Sequence, residues 1–294
     1  MAWWRPLINS ALALISVSAL SACSSEESLP PPLPISEDTL VRGRELAEGF
    51  GACGFCHAGQ GRPGEALSGG RLFVDLYGEV PGPNITLSES GIGSWTEDDV
   101  RKFFRGNVRP DGDLVYSPLH KGFEWISDRD LTALIAYLRT QSAHESTAER
   151  REVSFFERNT TGFFRSKPAV MGYVPQITTS FKTEYGQYLI DSIARCSRCH
   201  SSSDTLFSEE GYMAGGREIE INGVMKAAPN ITSSKTSGIG EWSEAQIKDF
   251  FHAGRTPKGK SVDPAFCPIE FYRRASLEDI EAAARYIRSI PATE

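Results

Sequence analysis

Two five-residue motifs with the pattern Cys-x-x-Cys-His constrain this chain more than any other feature. One spans residues 53–57 and the other spans residues 196–200. Two cysteines three positions apart on one helical turn can each form a thioether bond to a vinyl group of a haem, and the adjacent histidine then reaches the iron. The motifs therefore predict two covalently bound haem c groups. The residues that hold them are Cys53, Cys56 and His57 in the first motif and Cys196, Cys199 and His200 in the second.

The same cysteine spacing also occurs in redox-active dithiols and in one half of a zinc site. A zinc site requires a second pair of Cys or His ligands close by. A redox dithiol leaves the adjacent histidines, His57 and His200, without a role. The immediate histidine therefore favours haem attachment over both alternatives.

The first 22 residues have the pattern of a signal peptide. An apolar stretch from about residue 7 to residue 20 follows Arg5, and it is shorter than the roughly 20 apolar residues that a membrane span needs. Its end, Leu20-Ser21-Ala22-Cys23, resembles the lipobox of bacterial lipoproteins. The resemblance implies that residues 1–22 are removed and that Cys23 is lipidated; the alternative is ordinary cleavage nearby.

Residues 23–36 are predicted to form a tether, because the run Pro30-Pro31-Pro32-Leu33-Pro34 favours an extended, semi-rigid chain. We expect this tether to hold the folded part away from a membrane that the lipid enters. Haem c is attached in an exported, oxidising compartment. The predicted signal peptide and the haem-attachment motifs therefore point to the same location. The predicted location is the periplasmic face of a bacterial membrane.

The charge of the chain argues against nucleic acid as a partner. The sequence has 31 basic and 38 acidic side chains, a formal net charge of −7, and no basic stripe that would neutralise phosphates. An acidic protein can dock a basic redox partner, although net charge alone does not identify a site.

Much of the sequence occurs twice. Gly-Gly-Arg at 69–71 returns at 215–217, and Pro-Asn-Ile-Thr at 83–86 returns at 229–232. Gly-Ile-Gly-x-Trp at 91–95 likewise returns at 238–242. Such internal similarity predicts two homologous domains. Their predicted ranges are 37–145 and 180–294, with an interdomain segment at 146–179.

The apolar periodicity is helical, with apolar residues at three- and four-residue steps before the first motif and in the last segment of each half. Hydroxyl residues followed by acidic ones predict helix starts at Thr96, Ser127, Ser243 and Ser276. No segment shows sustained strand alternation. The predicted fold class is all-α, with two small helical domains whose long loops wrap around the haems.

Each half resembles a class I cytochrome c domain, and the pair resembles bacterial dihaem cytochromes c that serve as electron-transfer subunits of membrane-associated dehydrogenases. The resemblance implies electron transfer in the periplasm, from a partner dehydrogenase to the respiratory chain. It also implies that the first and last helices of each half cross closely at a small residue and an aromatic one. Gly43 with Tyr137, and Gly186 with Tyr286, fit those places.

The resemblance further implies hydrogen bonds to the haem propionates from the repeated loops. The residues that fit are Asn84, Thr86, Trp95, Asn230, Thr232 and Trp242, for which the alternative is turn chemistry and core packing. Arg71 and Arg217 would pair with propionates or, alternatively, lie solvated on the surface.

The chain departs from the family at the sixth iron ligand, which is usually a methionine shortly before the last helix. Neither half has a methionine there. Met171 lies between the halves, Met213 fits a core position, and Met225 is a weak candidate.

Two other residues stand where the sixth ligand is expected. Cys267, before Pro268, occupies the methionine position of the second half, and a thiolate is an accepted iron ligand; the alternative is a buried, unpaired cysteine. In the first half His120 is the nearest residue able to bind iron, unless it is exposed and Leu119 covers an open iron.

Two functions follow from these alternatives. The first is electron transfer, with both irons fully ligated. The second is haem catalysis at an unusual or open sixth position, of the kind seen in thiosulfate-oxidising cytochromes or dihaem peroxidases. The repeated loop motifs favour electron transfer.

Overall fold

The computed structural model describes residues 35–115, 118–164, 170–202 and 211–294. The predicted signal peptide, Cys23 and most of the predicted tether lie outside these residues. Among the described helices, none is long and apolar enough to cross a membrane. The α-helices are α1 (Glu37–Glu48), α2 (Cys53–His57), α3 (Glu97–Gly106), α4 (Asp128–Leu138), α5 (Phe155–Phe164), α6 (Lys182–Tyr188), α7 (Ser197–His200), α8 (Glu244–Ala253), α9 (Ile269–Tyr272) and α10 (Leu277–Ser289).

The first and last helices of each half cross at glycine, as predicted. A Cβ atom on Gly43 in α1 would lie 2.0 Å from the carbonyl oxygen of Ala133 and 2.7 Å from the Cβ of Tyr137 in α4. In the second half, a Cβ on Gly186 in α6 would lie 2.8 Å from the Cβ of Tyr286 in α10. Only glycine permits such an approach, because any side chain would meet the opposite backbone. Both predicted crossings are confirmed.

The predicted helix starts are also confirmed. Ser127 and Ser276 cap α4 and α10 by accepting hydrogen bonds from backbone N–H groups of the first turn. Thr96 and Ser243 form complete capping boxes at α3 and α8. Each box satisfies two backbone donors that a helix terminus otherwise leaves unpaired.

The all-α prediction is wrong, because the two halves share a four-stranded antiparallel sheet. Its strand order is β2-β1-β3-β4. The two central strands pair where Phe73 lies opposite Ile221, and both side chains are buried. The strands are β1 (Leu72–Asp75), β2 (Gly78–Pro81), β3 (Glu218–Ile221) and β4 (Val224–Ala227).

The β-hairpin formed by β3 and β4 has a clear turn signal in the sequence. Asn222 and Gly223 connect β3 to β4, with φ angles of 49° and 75°. Asn-Gly in a two-residue loop favours this left-handed pair of conformations, which matches the twist of the flanking strands. The strands themselves have only four residues each, so alternation along them was too short to stand out.

A polar network joins the two halves at the crossing helices. The Arg42 guanidinium on α1 donates to Asp130 on α4 at 3.0 Å and to Asp279 on α10 at 2.8 Å. Tyr185 donates to Asp279 at 2.6 Å, and Tyr188 donates to Asp130 at 2.8 Å. Asp130 and Asp279 occupy the same position after the capping serine of their helices, so one arginine binds both equivalent carboxylates.

The described part from residue 35 onward forms one compact unit. The division into two domains stays a prediction.

Replacing Arg42 by methionine should destabilise the protein by about 3 kcal/mol, because two buried carboxylates would lose their shared cation. The free energy of unfolding in urea, followed by circular dichroism, measures this effect. Arg44→Met, on the exposed face of the same helix, is the matched control. Equal losses in both variants would show that the network does not hold the halves together.

Candidate haem-binding sites

Both Cys-x-x-Cys-His motifs follow the same tight turn. The first motif forms α2, and the last four residues of the second motif form α7. The residue just before each motif has a left-handed backbone, with φ of 44° at Ala52 and 53° at Arg195. This turn precedes a short helix that brings two cysteines and a histidine onto one face, as covalent haem attachment requires.

Each attachment histidine is oriented by a proline carbonyl. The distance from Nδ1 of His57 to the carbonyl oxygen of Pro83 is 2.7 Å, and the distance from Nδ1 of His200 to that of Pro229 is also 2.7 Å. A carbonyl can only accept, so Nδ1 carries the proton and Nε2 keeps its lone pair for iron. Burial lowers the pKa of His57 to about 4, which keeps the imidazole in the neutral form that binds metals.

The first motif borders a cavity of about 280 Å³. Cys53, Cys56 and His57 line one part of it, and His120 lines another. The ring centres of His57 and His120 are 5.9 Å apart. Two imidazoles on opposite sides of one metal ion, with metal–nitrogen bonds of about 2 Å, have ring centres roughly 6 Å apart.

His120 shows a further sign of a missing partner. Its Nδ1 atom is buried without a hydrogen-bond partner, and the rings of Phe103, Phe104 and Phe123 surround it. A buried polar atom among aromatic rings is costly unless the imidazole binds something. The donor set and the spacing therefore fit a haem iron between His57 and His120. His120 as the sixth ligand stays a prediction.

Cys267 lies beside the second motif. Burial, followed by the neighbouring Cys199, raises the pKa of the Cys267 thiol to about 12. Cys267 and Cys196 both pack against the hydrophobic core, and the role of Cys267 as an iron ligand stays a prediction. Met213 is fully buried in the core, whereas Met225 is 55% exposed on β4.

The Asn-Ile-Thr loops hold themselves together. The Asn84 amide nitrogen donates to the hydroxyl oxygens of Ser88 and Ser90 and to the carbonyl oxygen of His144. Its carbonyl oxygen accepts from the backbone and hydroxyl of Thr86. Asn84 and Thr86 are both buried, and the described cavity wall includes Pro83 but neither of them. Their propionate contacts stay predictions, and their observed role is to fix the loop that carries Pro83.

The second loop repeats this arrangement. The Asn230 amide nitrogen donates to Ser237 and to the carbonyl oxygen of Thr293. The carbonyl oxygen of Asn230 accepts from the backbone and hydroxyl of Thr232. The Asn230–Thr232 pair thereby fixes the loop that carries Pro229.

The tryptophans and arginines that were predicted to contact the propionates have different surroundings in the two halves. Trp95 lines the first cavity and packs against Phe103 at 5.7 Å, and Trp242 packs against Phe250 at 5.6 Å. Arg217 also lines the first cavity, and its Nε donates to the Ser201 carbonyl. Arg71 is buried and donates to backbone carbonyls, so it is not the solvated surface arginine of the alternative prediction.

Several charged residues of the site were not predicted. Arg150 lies over the Trp95 ring at 5.0 Å and lines the cavity. Arg195, Arg198 and Cys199 line the same cavity, so the second motif borders the first site.

The role of the Pro83 and Pro229 carbonyls in orienting the histidines was also not predicted, although the repeated Pro-Asn-Ile-Thr sequence was a signal for it.

Burial bears on the dithiol interpretation of the first cysteine pair. Reactive dithiols depend on a lowered thiol pKa, whereas burial raises the pKa of Cys53 and Cys56 to about 11. An activated dithiol at the first motif is therefore disfavoured. Across the described ranges, no group of three or more His, Cys, Asp or Glu side chains could hold a metal ion.

The chain is similar to cytochrome subunits of several bacterial dehydrogenases, whereas no protein-family model matches it. It is 29% identical to the fructose dehydrogenase cytochrome subunit of Gluconobacter japonicus, with 99% of this chain and 61% of the relative aligned. It is 27% identical to a dihaem cytochrome c-type protein of Cereibacter sphaeroides, covering 83% of each chain. The similarity to c-type cytochromes thus extends over most of the chain. A third relative is the gluconate 2-dehydrogenase cytochrome c subunit of Pantoea cypripedii, at 26% identity over 88% of this chain and 61% of the relative.

The chain spans about three-fifths of the fructose and gluconate dehydrogenase subunits that it matches. Its similarity to c-type cytochromes implies covalently bound haem. The described residues that fit this attachment are the four motif cysteines, which are all free of disulfides, and the two proline-bonded histidines.

His120→Ala should convert one haem of the oxidised cytochrome from low spin to high spin, because the first iron would lose the imidazole opposite His57. Electron paramagnetic resonance of the oxidised protein measures the change. His144→Ala is the matched control, since His144 is exposed. A low-spin spectrum that survives His120→Ala would exclude His120 as a ligand.

Proposed function

We propose that this chain is a c-type cytochrome that holds two haems and carries electrons between a dehydrogenase and the respiratory chain. The observation that carries the proposal is the duplicated proximal site, in which each motif histidine is bonded to an equivalent proline carbonyl at the same 2.7 Å distance. Both sites are built to present Nε2 to an iron. A bound haem c supplies reversible one-electron chemistry at that iron.

The surroundings of the first site favour electron transfer over bond-making chemistry. His120 faces His57 across the cavity, so both axial positions of the first iron would be filled by protein. The rings of Phe103, Phe104 and Phe123 surround His120 and give the distal side an apolar lining. Such a site can change its charge by one electron with little rearrangement of its ligands.

The position of the second motif favours electron transfer within the chain. Cys199 lines the cavity that Cys53 and Cys56 also line, and Cys199 acts electrostatically on the Cys56 thiol. Because thioether bonds join these cysteines to haem edges, the two haem edges would lie near each other. We infer that an electron entering at one haem passes to the other without leaving the protein.

The proposed electron donor is a dehydrogenase that oxidises a sugar, a sugar acid or an alcohol. The support for it is similarity to cytochrome subunits named for fructose, gluconate and alcohol dehydrogenases. The proposed location is the periplasmic face of a membrane, with a lipid on Cys23 as anchor. The support for that location is the lipobox-like sequence before Cys23 and the tether after it.

One observation keeps haem catalysis as a second candidate. Cys267 lies close to Cys196 and Cys199, and a cysteine-ligated or open second iron would suit thiosulfate oxidation or peroxide reduction. This candidate predicts turnover of thiosulfate or peroxide by the purified cytochrome, whereas electron carriage predicts none.

Deleting the gene for this chain should abolish oxygen uptake driven by one of the substrates fructose, gluconate or ethanol in intact cells, because electrons from that dehydrogenase would have no acceptor. The wild-type gene should restore uptake, while a gene encoding His57→Ala and His200→Ala should not. Oxygen uptake is measured with an electrode for each substrate in turn.

Unchanged uptake with all three substrates, together with thiosulfate or peroxide turnover that Cys267→Ala removes, would overturn the proposed electron carriage and favour haem catalysis.

Cys23→Ser tests the proposed lipid anchor separately. The wild-type cytochrome should sediment with membranes, and the variant should remain in the soluble periplasmic fraction.

A further inference from the structure

Arg71 joins the attachment helix of the first half to a segment of the second half. Its Nη1 donates to the carbonyl oxygen of Phe55, inside α2, at 2.6 Å, and its Nη2 donates to the carbonyl oxygen of Ala265. The guanidinium lies 4.1 Å from the Phe55 ring centre. Gly61 makes room for it, since a Cβ there would lie 2.1 Å from Nη1. Arg71 is only 3% exposed.

Arg195 makes the opposite connection. Its left-handed backbone directly precedes Cys196, and its Nη1 donates to the carbonyl oxygen of Leu119 in the first half. Its guanidinium stacks 3.6 Å from the Phe123 ring centre. Gly122, with φ of 111°, leaves space here too, because a Cβ would lie 3.0 Å from Cγ of Arg195.

The acceptors of both arginines lie beside the candidate sixth ligands. Leu119 immediately precedes His120, and Ala265 is two residues before Cys267. We propose that Arg71 and Arg195 form a cross-brace, in which each arginine ties the attachment segment of one haem to the sixth-ligand segment of the other haem. Both are positioning residues, and the ligation of each iron then depends on the opposite half of the chain.

The cross-brace is not a by-product of the internal repeat. Ala52 stands in the first half where Arg195 stands in the second, so the repeat supplies only one of these arginines. Arg217 is the equivalent of Arg71, yet its Nε donates to the Ser201 carbonyl of its own half. The two braces thus come from non-equivalent positions and still reach equivalent segments.

The cross-brace should stabilise both sixth-ligand segments in the closed position. His120 ends a single short 3-10 turn, Pro118–His120, which has few backbone hydrogen bonds of its own. A hydrogen bond from a charged donor to a carbonyl is stronger than one between neutral groups. Losing it should raise the open-to-closed ratio of the segment by roughly tenfold.

The test follows imidazole binding to the oxidised, full-length cytochrome, because external imidazole binds an iron only when the sixth-ligand segment opens. Signals are assigned with His57→Ala, which alters that of the first haem, and His200→Ala, which alters that of the second. We expect Arg195→Gln to speed imidazole binding roughly tenfold at the first haem. We expect Arg71→Gln to do so at the second haem.

Arg62→Gln and Arg255→Gln, at exposed positions in the two halves, are the matched controls and should leave both rates unchanged. A variant that speeds binding only at the haem of its own half, or no more than its control, would overturn the cross-brace. If a glutamine variant does not accumulate with haem, Arg71→Lys or Arg195→Leu carries the same test. Lysine at position 71 keeps the charge but cannot reach the Phe55 and Ala265 carbonyls at once, and leucine at position 195 keeps the packing on Phe123 but has no donor for the Leu119 carbonyl. The same crosswise acceleration is expected, and its absence overturns the proposal.

The cross-brace rests on the proposed presence of two haems. The intact mass of the wild-type chain separates the two failures. A mass with fewer than two covalent haems defeats the proposed function, whereas two haems without crosswise acceleration defeats the cross-brace alone.

Discussion

The hydrogen bond between each attachment histidine and a proline carbonyl is the contact on which the haem sites depend. Thioether bonds to the cysteines would fix the haem edge but not the rotation of the imidazole ring. The carbonyls of Pro83 and Pro229 set that rotation and place the proton on Nδ1. Asn84 and Thr86, buried behind the first of these carbonyls, hold it in place through the loop. A loop fixed by its own hydrogen bonds therefore holds Nδ1 of each imidazole, and this leaves Nε2 free to bind an iron.

The two halves are joined at several levels. Arg42 lies between Asp130 and Asp279 at the helix crossings, strands β1 and β3 pair across the halves, and Arg71 and Arg195 reach carbonyls near the opposite sixth-ligand segments. Because these contacts combine helix, sheet and side chain, the two halves are held in one arrangement. A fixed arrangement would keep the edges of two bound haems at a constant separation, as the proposed electron transfer between them requires.

The residues with a strict chemical or steric requirement could be predicted from the sequence. The Cys-x-x-Cys-His motifs, the glycines at the helix crossings and the capping residues each have few alternatives at their positions. The sheet could not be predicted with the same ease, because its strands are short and two of them pair only across the repeat. Asn222-Gly223 was a readable turn signal that helical periodicity elsewhere outweighed.

The contacts made by Arg71, Arg150 and Arg195 could not have been predicted, because they depend on which loops meet after folding. Arg71 illustrates the difficulty. Its place in a repeated Gly-Gly-Arg motif suggested a role shared with Arg217, but the two guanidiniums choose different acceptors. The sequence also left open whether His120 was exposed, and only the fold brings its ring to 5.9 Å from that of His57.

A redox titration of the purified cytochrome, combined with its intact mass, tests the central claim of two haems in one chain most directly. The account predicts a mass that includes two covalent haems and two one-electron transitions. His57→Ala should shift the potential of one transition, and His200→Ala should shift the potential of the other. A single transition, or a chain mass with one haem or none, would contradict it.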